Sequence, residues 1–312
     1  MNIQQFHYIL AVAEFKHFEL AAEKCFISQS TLSTMISKFE DEIGIKIFDR
    51  SKKPVGLTLE GAILLEQLKI IYKDIEQLKE ITKEIKGEIS GNLNLSVIPT
   101  VAPFLLPLFL QDFALQFPNL NIVVKEETTE EILKKLKSRE IDVGIVSIPL
   151  LDKEIIEIKL YDEPFLYYDA QSISKGKVSI KSNISERICL MEEGHCMRTQ
   201  MLELCNLSKN KRKPILNFEY KAGSIDSLTR FVSSNKLATL LPYLSTISFS
   251  EDEKRHLSSF KSPTPFRTIG LVVHRNFVKK KVMEKLKNEI IEKISDCLPV
   301  VSSNSQLLSP TE

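Results

Sequence analysis

From Glu60 to Lys86 the chain contains no proline and a single glycine, Gly61. Within that stretch Leu64, Leu68, Ile71, Ile75, Leu78, Thr82 and Ile85 recur in alternating steps of four and three, with Glu66, Lys69, Lys73, Glu76, Lys79 and Glu80 on the flanks. This is the spacing of a coiled-coil seam. A long helix with one apolar stripe needs a surface to cover it, because helices in water draw most of their stability from packing that face. Residues 59–87 are therefore predicted to form a coiled-coil linker helix, and a second copy of the chain is its simplest partner.

The unit before it, residues 1–58, reads as three helices and a hairpin. Phe6, Ile9, Leu10 and Ala13 repeat at helical spacing, and Leu20, Ala21 and Ala22 crowd a second, short helix. Ser28 is a natural N-cap for a third, whose Leu32, Ile36, Phe39 and Ile43 form one stripe that ends at Gly44. Ile45–Asp49 and Val55–Leu59 then alternate as short strands around a basic turn, Arg50-Ser51-Lys52-Lys53-Pro54. The outline is a winged helix-turn-helix. The polar face of the third helix carries Gln29, Ser30, Thr31, Ser33, Thr34, Ser37 and Lys38, short hydrogen-bonding groups suited to base edges in a major groove. Arg50, Lys52 and Lys53 suit phosphate contacts, which give affinity and register. Taken alone, a solvated polar face and an ordinary charged turn fit these residues equally well.

After residue 88 the pattern becomes strand, helix, strand, helix, strand: Leu93–Ile98, Pro103–Phe117, Leu120–Lys125, Thr128–Ser138 and Ile141–Ser147. Such alternation predicts parallel strands with crossover helices. A second α/β stretch follows, then a strand over Thr268–His274 and a helix over Lys279–Cys297. The prediction is a two-lobed regulatory domain over 88–301. Its first lobe takes 88–162 and 268–301, its second 163–267, and 302–312 form a disordered tail.

Composition narrows the function classes. With 43% hydrophobic and 27% charged residues and a formal net charge of +1, any nucleic-acid surface must be local. The apolar run Phe104–Leu110, broken by Pro107, is far shorter than the roughly 20 residues a membrane helix needs. The N-terminus lacks the layout of a signal peptide. Five scattered cysteines do not make a disulfide scaffold. A cytoplasmic protein with reduced thiols is expected, with no membrane partner, no metal and no cofactor.

The run FKHFELAAEKCFISQSTLSTMISKFEDEIGIKIFDR resembles the DNA-binding domain of LysR-type transcriptional regulators. The Ala21-Ala22 pair, Ser28-Gln29, Leu32-Ser33 and Phe48-Asp49-Arg50 fall in that family's order, and the resemblance extends over about residues 1–300. It implies a winged helix-turn-helix, a dimerisation helix and a two-lobed effector domain like that of periplasmic binding proteins. It also implies a homodimer or homotetramer on double-stranded promoter DNA with dyad-related half-sites, with RNA polymerase as a further candidate partner. Ser30 stands where the family usually has proline, and Thr34, Met35 and Ser37 replace positions often larger or more basic, so an operator different from those of relatives is compatible with the resemblance.

The segment CLMEEGHCMRTQMLELC, residues 189–205, holds the chemistry. Met197, Met201 and Leu204 share a helical face, which sets Cys196 at a helix N-terminus where backbone dipoles favour a thiolate. Arg198 and His195 could add positive charge. If the segment is helical, the Cα atoms of Cys196 and Cys205 lie about 13 Å apart at 1.5 Å per residue. A disulfide needs less than about 7 Å, so joining them requires the helix to unwind. Small core cysteines remain the ordinary alternative, and a metal site from His195, Cys196 and Cys205 matches no common spacing.

GHCMR with Cys205, IPTVAPFLLP at 98–107 and RTIGLV at 267–272 are similar to the OxyR-like, peroxide-sensing branch of the LysR-type family. That similarity implies Cys196 as the peroxidatic thiol, Cys205 as the resolving thiol, and Thr100, Thr129, His195 and Arg267 as the residues shaping a hydrogen peroxide pocket. Without it, Thr128 and Glu131 read as a capping box, Thr100 as a cap for the helix near Pro103, Arg267 as an exposed charge and His195 as a loop residue. Thr199 stands where the branch usually carries aspartate, and Asn235-Lys236-Leu237 where glycines are common. Two other functions stay open: a LysR-type regulator answering a small metabolite bound between the lobes, and a thiol peroxidase, in which the helix-turn-helix would have no role.

Overall fold

The computed structural model describes residues 1–85, 89–174, 176–179, 188–204, 220–302 and 304–310. The chain divides after residue 88 into two compact units. In the first, α1 (Ile3–Phe15) opens on a capping box between Asn2 and Gln5. Then come α2 (Phe18–Lys24) and α3 (Gln29–Ile43). The Ser28 hydroxyl caps α3 by accepting from the Thr31 N–H (3.2 Å), and Gly44, at φ 69°, ends it in the left-handed region. Leu32, Ile36 and Phe39 are buried against Phe6, Ile9 and Val12.

The wing strands β1 (Phe48–Asp49) and β2 (Gly56–Leu57) are shorter than the alternation predicts. The Ile47 N–H is taken by the buried Glu40 carboxylate (2.8 Å), and the Thr58 hydroxyl accepts from the Gly61 N–H (2.9 Å) to cap the next helix, so neither residue extends the ladder. That helix, α4 (Leu59–Ile85), is the long one expected, but its seam is divided. Leu65 and Leu68 are buried in this unit's own core, with Leu64, Tyr72 and Ile75 packed beside them. The Tyr72 ring stacks on His7 at 5.7 Å. Ile71, Leu78 and Ile85 stay exposed at seven-residue intervals. The seam is thus partly covered within the chain itself, through Leu64, Leu68 and Ile75.

The second unit begins β3 (Gly91–Val97), α5 (Ala102–Gln116), β4 (Leu120–Glu126), α6 (Thr129–Lys137), β5 (Val143–Ile148). β3 lies between β4 and β5 and is parallel to both, as the alternation predicts. The chain continues through β6 (Ile155–Asp169), α7 (Cys196–Leu204), α8 (Ile225–Ser234), β7 (Ala238–Pro242), a 3-10 turn (Tyr243–Thr246), α9 (Glu251–Lys254) and β8 (Leu257–Ser258). It ends with β9 (Thr264–His274), α10 (Lys280–Ser295) and β10 (Ser305–Leu307). Among the described residues the strand order is β4-β3-β5-β9-β6-β7. β6 and β9 pair antiparallel along most of their length, and the end of β6 pairs with β7. These two strands serve both lobes. One core gathers on β3, β5, α5 and α10, the other around Phe165, Tyr168, Met201, Leu228 and Leu240.

One local expectation changes, and one backbone feature stands out. Lys236 has a left-handed backbone, φ 53°, the conformation that favours glycine. The tail over 302–312, expected to be disordered, contains β10, which pairs in parallel with Thr264–Phe266, and Leu308 is fully buried in the second core. Backbone pairing along β9 and one inserted leucine order a segment whose polar composition argues for disorder. Among the described residues no helix is long and apolar enough to cross a membrane.

Candidate functional site

Cys196 is the first residue of α7. Met197, Met201 and Leu204 of that helix enter the second core, whereas Cys196 packs into the first. The thiol therefore sits where the lobes meet. Across β9 and β6, antiparallel register sets Arg267 opposite Glu163, and both are almost wholly buried. Arg267 Nε donates to Glu163 Oε2 (2.8 Å), and Nη2 lies 2.8 Å from the same oxygen. Nη1 donates to Thr100 Oγ1 (2.9 Å) and Nη2 to the Thr100 carbonyl (3.0 Å). The Leu244 N–H donates to the second Glu163 oxygen (2.8 Å). A guanidinium has five N–H donors; these contacts leave one, on Nη1.

Burial pushes the Cys196 thiol above its ordinary range. The Arg267 charge, the Thr129 hydroxyl and the backbone N–H groups of Met197 and Cys196 all act in the opposite direction without winning. The helix-terminus effect expected from the sequence is thus present but smaller than desolvation. Thr129 opens α6, and its buried hydroxyl, which acts on the Cys196 thiol, has no conventional hydrogen-bond partner among the described residues. Thr128 is the capping residue, forming the box with Glu131. Thr100 does not cap α5, whose N-cap is Val101; its hydroxyl serves Arg267. His195 is half-buried, and desolvation lowers its pKa against the pull of Glu192, which favours a neutral ring. Arg198 is turned away from the thiol: Nη1 donates to the Met191 carbonyl (2.8 Å), and Nη2 lies 3.7 Å from Glu193. Arg267 supplies the positive charge expected of Arg198. Cys205 lies outside the described residues, and α7 is helical as far as Leu204.

A thiol titrating above its unfolded value has a checkable consequence. It contributes stability that is fully present below the unfolded pKa and lost as pH rises through the folded one. Its reactivity runs the other way, because the thiolate is the nucleophile. Alkylation of Cys196 in the reduced protein, followed by peptide mass spectrometry, is expected to accelerate about tenfold per pH unit from pH 7 to pH 9. A rate already level at pH 7 would mean that Arg267 outweighs burial.

In the first unit, Gln29, Ser30, Thr31, Thr34 and Lys38 are exposed along α3, with Ser33 and Ser37 half-exposed. The hydroxyls of Ser30 and Thr31 bond to that of Ser28. Lys52 and Lys53 are exposed on the wing, and Lys52 lies 3.3 Å from Asp49. Arg50, the third residue expected to meet phosphate, turns its side chain toward α3. Its guanidinium donates to Ser33 (2.8 Å) and Ser37 (3.0 Å), and it stacks on the Phe18 ring at 4.9 Å. It braces α3. Sequence reading passed over Glu163, Gln200 and Glu40. Glu163 is one of two adjacent acids, Asp162 and Glu163, and nothing local sets it apart; Gln200 lies one helical turn beyond Cys196, on the same face.

Residues 3–62 match the bacterial regulatory helix-turn-helix protein, lysR family, and residues 86–294 match the LysR substrate binding domain. A hydrogen peroxide-inducible genes activator of Pectobacterium carotovorum is 32% identical over 97% of this chain and 100% of its own length. The DNA-binding transcriptional dual regulator OxyR of Escherichia coli is 32% identical, over 87% of this chain and 89% of that one. Among solved structures, a full-length OxyR variant from Pseudomonas aeruginosa superposes with a TM-score of 0.73 at 27% identity, covering 93% of this chain and 98% of that one. A hydrogen-peroxide-bound OxyR variant from Corynebacterium glutamicum gives 0.63 at 26% identity, covering 95% and 94%.

Proposed function

The chain belongs to the LysR family of bacterial helix-turn-helix regulators, in its OxyR-like branch, and on that premise we propose that it is a promoter-binding regulator of oxidative-stress genes switched by hydrogen peroxide at Cys196. The observation that carries the proposal is a buried thiol under the charge of a buried arginine at the junction of two lobes. In the first step the Cys196 thiolate attacks one peroxide oxygen. The O–O bond breaks, the attacked oxygen stays on sulfur with its hydrogen as a sulfenic acid, and the departing hydroxide takes the proton that the thiol gave up and leaves as water. Arg267 and the Thr129 hydroxyl stabilise charge as it moves onto the leaving oxygen, a demand that exists only in the transition state. A thiol held mostly protonated at rest is also protected from unselective oxidants. In the second step the Cys205 sulfur attacks the sulfenic sulfur, the S–O bond breaks, water leaves and the disulfide closes.

Closing that bond requires the helical segment to unwind, which changes the packing between lobes and hence between copies of the chain. A covalent bond present in one state alone biases such an equilibrium strongly. The exposed heptad residues Ile71, Leu78 and Ile85 support dimerisation through α4, and the exposed groups of α3 with Lys52 and Lys53 support a major-groove and phosphate interface, with Arg50 bracing the helix that reads it. The test is mass spectrometry of reduced protein after brief exposure to stoichiometric hydrogen peroxide, beside Cys196→Ser. Wild type is expected to form the Cys196–Cys205 disulfide and the variant none. Both thiols remaining reduced in a protein that still binds DNA would overturn the peroxide reading in favour of a metabolite-binding regulator.

A further inference from the structure

The C-terminal segment crosses from one lobe to the other. It follows α10, which packs on the first core, and ends in the second, where Leu308 is fully buried. On the way β10 pairs with Thr264–Phe266, and the Leu308 N–H donates to the Phe266 carbonyl (2.9 Å), one residue from Arg267. The same segment is fastened to α7. Gln200 Nε2 donates to the Leu308 carbonyl (3.0 Å), and the Ser309 N–H donates to Glu203 Oε2 (3.1 Å). Gln200 is fully buried, and its Nε2 also donates to Ser147 Oγ on β5 (3.0 Å), while its Oε1 has no partner among the described residues. The amide is held by its donors alone. One short run of chain thus joins the strand that carries Arg267 to the helix that carries Cys196.

We propose that Ser305–Pro310 is a strap that keeps α7 wound and Cys196 in its pocket in the reduced protein, with Gln200 as the positioning residue through which it acts. The function of the strap rests on the peroxide-switch reading given above. The described part of α7, Cys196–Leu204, has nine residues, too few to be stable as a helix without tertiary support. Gln200 and Glu203 lie inside the stretch that must unwind before Cys196 and Cys205 can meet, so disulfide closure breaks both contacts. The strap therefore affects the two chemical steps in opposite directions. By holding Cys196 beside Arg267 it speeds formation of the sulfenic acid. By opposing unwinding it slows closure of the disulfide, so the switch is thrown only once the first oxidation has occurred. An interaction made in one state and lost in the other shifts the equilibrium by its own free energy.

Two variants of the full chain test this: one ending at Ser302, and Gln200→Met, which keeps the volume and removes both donated bonds. The first readout is hydrogen exchange of the α7 amides in reduced protein, with no peroxide present. About tenfold faster exchange is expected in each variant, and the combination is expected to fall well short of the product of the two, because both remove the Gln200–Leu308 bond. The second readout separates the steps: a dimedone-trapped sulfenate is expected to form more slowly than in wild type, and the disulfide to close faster once it has formed. Unchanged α7 exchange in either variant, or additive effects in the pair, overturns the strap. Faster exchange in a protein whose wild type forms no Cys196–Cys205 disulfide sustains the strap and sinks the switch reading.

Discussion

Arg267→Met is expected to destabilise the second unit by about 3–5 kcal/mol, the cost of leaving one member of a buried ion pair without its partner. Glu163 keeps the Leu244 N–H but loses both guanidinium contacts, and the Thr100 carbonyl and hydroxyl lose their donors. Glu163→Leu is expected to cost as much, since it strands the cation. The double variant Glu163→Leu/Arg267→Met is expected to recover most of the loss, because apolar groups of similar volume often replace a buried pair at little cost. Reactivity separates from stability in the same cycle: the double variant regains stability but not peroxide oxidation of Cys196, for which Arg267 supplies the charge. Urea unfolding and peroxide titration of the three variants give the answer. Additive losses below about 1 kcal/mol each would show that the pair is solvated and not a buried anchor.

That pair marks the limit of what the sequence makes legible. Local periodicity fixes α3, α4 and the parallel order of β3, β4 and β5, because each is specified by spacing within a few turns or strands. Ser28 and Gly44 set the ends of α3 for equally local reasons. The site is assembled by long-range register, in which Arg267 meets Glu163 on a neighbouring strand and Thr100 from near the start of the unit. Spacing alone leaves Thr100 a cap and Arg267 a surface charge; the family resemblance, not the periodicity, points to them as site residues. β10 was hidden for a related reason. A serine-rich, polar end has the composition of disorder, and only its register against Thr264–Phe266 reveals a strand. The thiol shows a different failure: its position at a helix N-terminus is readable, but the burial that outweighs the dipole depends on how two lobes close over it.

Gly61→Ala is expected to destabilise the first unit by at least about 3 kcal/mol, at the upper end of the cost of overpacking. A Cβ at residue 61 would stand 2.2 Å from the Ile47 carbonyl oxygen and 2.8 Å from Ile47 C and Cα, all of them backbone atoms. That backbone cannot easily retreat. The Ile47 N–H is held by Glu40, its carbonyl accepts from the Thr58 N–H (3.0 Å), and the Gly61 N–H is bound to the Thr58 hydroxyl that starts α4. Relieving the clash means separating the wing from the start of the long helix, which also loosens the Glu40 carboxylate that ties the wing to α3. Operator binding at 25 °C is therefore expected to fall by at least a hundredfold. Because the two units are separately compact, the second is expected to keep its own unfolding transition and its Cys196 reactivity. Calorimetry on the intact variant, read with peroxide oxidation of Cys196, distinguishes the cases. An early first transition with unchanged thiol chemistry is the expected pattern. Loss of both together would mean that the fold of the second unit depends on the integrity of the first.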